Sequence, residues 1–157
     1  MRQTFARRSI LGLGVGGAAS AVLLASASRG YAATTQFKTT LSPSSEVPPN
    51  QSTGTGSVTA TFDPATKQLT WNGTFSGLTG APTAAHIHGP AEPGKNAGVV
   101  LWVSDHDTKA HPFTSPFQGS ATLTDAQVSD LMSGQYYVNI HTAANPGGEI
   151  RGQLAKA

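Results

Sequence analysis

Beyond residue 36, apolar side chains recur at every second position in short runs, and Gly, Pro, Asn and Asp separate the runs. Such alternation sends successive side chains to opposite faces and predicts half-buried strands. Phe37 to Leu41 reads as a first strand, with Thr34 to Gln36 left as a tail. Ser42 to Thr55 is expected to be irregular, because Pro43, Pro48 and Pro49 cannot donate to a ladder. Ser57 to Phe62 puts Val58, Ala60 and Phe62 on one side. A turn at Asp63-Pro64-Ala65-Thr66 then leads into Gln68 to Phe75, whose Leu69, Trp71, Gly73 and Phe75 share the buried face of a hairpin.

Thr83 to His88, Val99 to Val103 and Phe117 to Leu123 carry the same period. Gln135 to His141 and Glu149 to Leu154 form a terminal hairpin around the breaker Asn145-Pro146-Gly147-Gly148. One register of that hairpin sets Asn139 opposite Arg151 and His141 opposite Glu149. Helix has little room: Thr124-Asp125-Ala126-Gln127 has the form of a capping box and predicts one short helix to about Met132, with Val128, Leu131 and Met132 facing the core. The fold predicted is all-β, an antiparallel, Greek-key-like sandwich of about seven or eight strands with one short helix near 124–132.

Residues 1–33 read differently. Arg7-Arg8-Ser9-Ile10-Leu11 opens an apolar stretch to Leu24 that Gly12, Gly14, Gly16 and Gly17 dilute, and small residues follow at Ala32-Ala33. This is expected to be a twin-arginine-type export signal, cleaved after Ala27, Ala32 or Ala33, with residues 34–157 as one domain. The apolar run falls short of the ~20 residues of a membrane span, so no anchor is expected after cleavage. The whole chain has a formal charge of +2, but four of its ten basic residues leave with the signal and all eight acidic ones stay. The remaining domain is therefore acidic and lacks the basic stripe that nucleic acid or an anionic membrane requires. There is no cysteine, so neither a disulfide nor a lipidated thiol is available.

The candidate chemistry follows from the period. If Ile87, Val138, Ile140 and Ile150 face the core, then His86, His88, Asn139, His141, Glu149 and Arg151 fall on the opposite faces. One reading is a metal site, with His86, His88 and His141 as ligands and Glu149 as a fourth ligand or as the acceptor that orients an imidazole. Imidazole suits copper first and zinc second. The other reading is a hydrogen-bonded polar layer that includes Asn139, Arg151 and Gln153, with Glu149 paired to Arg151 or to a ring. His106 and His111, with Asp105 and Asp107, read as a solvated loop or an accessory metal-collecting cluster. Trp71 is expected in the core, and Trp102 is expected to point away from Leu101 and Val103. No Gly-x-Ser-x-Gly elbow occurs and no carboxylate pair is set for glycoside hydrolysis, so a non-catalytic role is expected.

Three separated motifs carry a family resemblance: Glu46-Val47-Pro48-Pro49-Asn50; Ala85-His86-Ile87-His88-Gly89-Pro90-Ala91 followed by Gly98-Val99-Val100; and Tyr137-Val138-Asn139-Ile140-His141-Thr142 running into Gly147-Gly148-Glu149-Ile150-Arg151-Gly152-Gln153-Leu154. In this order they resemble the CHRD (chordin-type) domain over Phe37 to Leu154. The resemblance implies a β-rich extracellular module that, in bacteria, often stands alone behind a signal sequence, and it implies no catalytic activity. The expected role is binding to an extracellular or cell-envelope partner, with periplasmic or secreted copper or zinc binding as the alternative. His-x-His with a distant histidine on a sandwich also looks loosely like the copper side of copper/zinc superoxide dismutases, without that family's bridging histidines and disulfide.

Overall fold

The structure, a computed structural model, describes residues 33–104 and 113–157. The expected signal, apart from Ala33, and the cluster Asp105, His106, Asp107 and His111 lie outside the described residues. The described strands are β1 (Thr35–Leu41), β2 (Thr55–Asp63), β3 (Gln68–Ser76), β4 (Pro82–His88), β5 (Val99–Trp102), β6 (Phe117–Thr122), β7 (Tyr137–Thr142), β8 (Ile150–Gln153) and β9 (Ala155–Lys156). One helix, α1 (Asp125–Met132), precedes β7, and a short 3-10 turn (Pro43–Ser45) follows β1.

All strand pairs are antiparallel and fall into two sheets, β6-β3-β2-β1-β9 and β5-β4-β7-β8. The alternation determines the layering. Phe37, Leu41, Val58, Ala60, Phe62, Leu69 and Trp71 from the first sheet meet Ile87, Val138, Ile140 and Ile150 from the second in one buried core. Leu131 of α1 is fully buried with them, and Val128 and Met132 pack partly against the core. The capping box forms as its sequence requires: Gln127 N–H donates to Thr124 Oγ1 at 3.3 Å, and Thr124 N–H donates to Gln127 Oε1 at 2.9 Å.

Two differences from expectation concern strand ends. β1 begins at Thr35, and an additional exposed strand, the two-residue β9, pairs with Phe37 and Lys38 at the sheet edge. It is too short to show a period. The terminal hairpin pairs Tyr137 with Gln153, Asn139 with Arg151 and Ile140 with Ile150, and β8 starts only at Ile150. Gly148 adopts φ +135°, where side-chain-bearing residues are strained, and this turn interrupts the alternation just before Glu149.

Candidate metal centre

Adjacent strands of the second sheet build the site. In β4, His86 and His88 alternate with the buried Ile87; in β7, Asn139 and His141 alternate with Val138 and Ile140. The register sets His86 across from Asn139, His88 across from Tyr137, and His141 across from the small Ala84. With so little side chain at Ala84, the His86 ring reaches diagonally to His141, and His86 Nδ1 lies 3.0 Å from His141 Nε2. One nitrogen from each of His86, His88 and His141 lies within 4.8 Å of the other two. His86 and His88 are 7 % and 8 % exposed, although they occupy the face a sandwich usually gives to water.

Two loops close over this face and fix the rings. His88 Nδ1 donates to Ala97 O and His141 Nδ1 donates to Pro146 O, both at 3.0 Å. A carbonyl can only accept, so each Nδ1 carries the proton; His141 Nε2 then accepts from His86 Nδ1, and the neutral His88 ring keeps its Nε2 lone pair. A ligating imidazole is commonly oriented in this way, by an acceptor on its other nitrogen. Burial pushes both rings below the usual histidine range, partly opposed by those carbonyls, and His88 pushes His141 down further. Both are therefore held neutral, the form a metal needs.

Aromatic contacts brace the rings. His88 stacks on Tyr137, with centroids 5.0 Å apart and planes 5° apart, and the Arg151 guanidinium covers the Tyr137 ring at 3.4 Å. Arg151 also donates to Asn96 Oδ1 at 2.8 Å and Lys95 O at 2.6 Å, and Asn96 Nδ2 donates to Val47 O at 2.9 Å. The loop bearing Ala97 is thus tied to β8. Trp102, 39 % exposed, meets His86 edge-on at 4.4 Å, on the outer face as its alternation implied. Tyr137 was not singled out by sequence reasoning, although its place two residues before Asn139 puts it on the histidine face.

Glu149 does not join the histidines. Its carboxylate accepts from Ser52 Oγ, Thr79 N–H, Thr79 Oγ1 and Thr142 Oγ1 at 2.5–2.7 Å. Thr142 alternates with His141, so Glu149 has turned to the opposite side, as the break at Gly148 allows. Burial would raise this carboxyl, but hydrogen bonds from Ser52, Thr142 and Thr79 outweigh it and hold it at about 2. Every lone-pair site facing these donors is used, which leaves Glu149 neither a ligand nor a partner for Arg151.

The expected polar layer is only partly self-satisfied. Arg151 bonds the loop as described, and Gln153 Nε2 donates to Ala91 O and Gly134 O at 2.9 and 2.8 Å. His88 Nε2, Asn139 Oδ1 and Glu46 Oε1, however, are buried without a hydrogen-bond partner among the described residues. Glu46 enters from the proline-rich segment after β1 and is 5 % exposed; burial pushes it up to about 7 against the attraction of Arg151. Buried polar atoms nearly always have partners, so these acceptors beside three histidines could take a bond from water or a bound cation.

A family model for the CHRD domain matches residues 37–154. No curated protein and no solved structure matches the chain. The match takes in β2 to β8 and β1 from Phe37 onward, stops before β9, and includes every residue of the histidine face. By that match the chain belongs to the CHRD-domain family.

Proposed function

We propose that this protein is an exported, non-catalytic binding module whose CHRD domain holds a transition-metal ion, copper before zinc, through His86, His88 and His141. The observation that carries the reading is the shared geometry of the rings. One nitrogen of each lies within 4.8 Å of the other two, and two backbone carbonyls hold the ring proton of His88 and His141 on Nδ1, leaving Nε2 as the acceptor. Two nitrogens bound to one ion at ~2.0–2.1 Å stand roughly 3.3 Å apart in a tetrahedral site and at most about 4.2 Å. Loading a tetrahedral site therefore closes the widest pair by up to about 1.5 Å and slightly opens the 3.0 Å His86–His141 pair, shifts within the rotamer range of side chains on neighbouring strands.

Copper ranks first because a neutral imidazole set binds Cu²⁺ more tightly than Zn²⁺ by the usual divalent order. Export rests on the paired arginines and the glycine-diluted apolar stretch before residue 33. No helix among the described residues is long and apolar enough to cross a membrane.

The test is metal analysis of untagged protein after equilibration with Cu²⁺ or Zn²⁺ and removal of excess ion. Equimolar metal and a rise in Tm are expected, and the His86→Ala/His88→Ala variant should lose both. Sub-stoichiometric metal with no rise in Tm overturns the reading.

A further inference from the structure

We infer that Asn139 Oδ1 is a further metal ligand, the oxygen donor that completes the set begun by His86, His88 and His141. The inference rests on the three-histidine reading above and assigns a residue which that reading leaves to the polar layer.

The backbone register puts Asn139 at the centre of the three rings. It lies directly across from His86 on β4, two positions before His141 on the same face of β7, and diagonal to His88. Directly opposed residues have Cβ atoms ~4.5–5.5 Å apart, and diagonal ones remain within reach of long side chains. Asn139 is 3 % exposed, and its amide lies against the His88 ring. His88 Nε2 and Asn139 Oδ1 are both buried, and neither makes a hydrogen bond of ordinary geometry among the described residues.

With His88 Nδ1 protonated toward Ala97 O, Nε2 is an acceptor, and Oδ1 is an acceptor by its chemistry. Two buried acceptors side by side repel unless a donor or a cation lies between them. A metal ion held by the histidines supplies that cation, and amide carbonyls are known weak, axial-type donors to copper.

A Cβ added at Gly148 would collide with Glu46 Oε1 and stand 2.7 Å from Asn139 Nδ2, so both side chains sit over the bare glycine.

The test uses Cu²⁺-loaded, untagged protein with Asn139→Asp and Asn139→Leu variants, read by competition titration, visible absorption and electron paramagnetic resonance. Asn139→Leu should weaken Cu²⁺ binding about tenfold or more and shift the d–d band. Asn139→Asp, which keeps an oxygen donor and adds charge, should retain binding while changing the band position and the resonance parameters. Near-UV circular dichroism in metal-free buffer checks folding, and if Asn139→Leu does not fold, the Asp variant decides alone. Wild-type affinity and unchanged spectra in the folded variants overturn the oxygen ligand while leaving the histidine site standing. Wild-type protein with no imidazole-bound Cu²⁺ signal overturns both.

Discussion

Two buried glutamates flank the histidine face and differ in almost every respect. Glu149 is fully buried, accepts from Ser52, Thr79 and Thr142, and is held at about 2. Glu46 is 5 % exposed, has an Oε1 without a partner among the described residues, and is pushed up to about 7. The sequence favours Glu149 as the functional carboxylate, because alternation puts it beside Arg151 and near His141. The structure gives it a structural task and puts Glu46, roughly a hundred positions upstream, next to Asn139. A buried carboxylate with all its acceptor sites filled fixes the fold, whereas one left under-bonded is available to orient or bind.

The largest effect expected from this contrast is at Glu149. Glu149→Ala leaves the donors of Ser52, Thr79 and Thr142 without their common acceptor, and denaturant unfolding should show a loss of about 3–5 kcal/mol. The wild type should show the same group through pH. The folded pKa is depressed below the ordinary value of 4.5, so its stabilisation is present above that pH and is lost as pH falls toward 2. A Glu149→Ala protein with wild-type stability at pH 7 would remove the contrast.

Glu46 should behave with the opposite sign and a smaller effect. Its folded pKa is raised from 4.5 to about 7, so its contribution is complete below pH 4.5 and is lost as pH rises through 7. Glu46→Gln should therefore match the wild type near pH 4.5 and become more stable above pH 8, by up to about 3 kcal/mol. Melting curves of both proteins from pH 4 to 9 check this, and parallel curves would contradict it.

Where local chemistry decided the structure, the sequence was readable. Strict alternation in Val58, Ala60 and Phe62 and the Thr124/Gln127 capping pair set their elements without help from distant contacts, and the Asn139–Arg151 register follows from the core positions of Val138 and Ile140. The histidine face was readable for the same reason. Glu149 was misplaced because the positive φ of Gly148 breaks the period one residue before β8, and a period argument cannot register a turn it does not include. Glu46 was legible only as part of the Glu46-Val47-Pro48-Pro49-Asn50 motif, because its proline-rich stretch has no period, and only the approach of residues 46–50 to the 144–148 turn brings it near Asn139. The tie from Arg151 through Asn96 to Val47 was hidden likewise, since it joins three segments that no local pattern connects.

The central claim is that three imidazoles share one ion on the outer face of the second sheet. X-ray absorption at the metal edge of the Cu²⁺- or Zn²⁺-loaded protein tests it most directly. The account predicts a first shell containing about three imidazole nitrogens at ~2.0–2.1 Å, with the outer-shell scattering of the rings, reduced in His141→Ala. A shell of water or carboxylate oxygens alone, identical in wild type and His141→Ala, would contradict it.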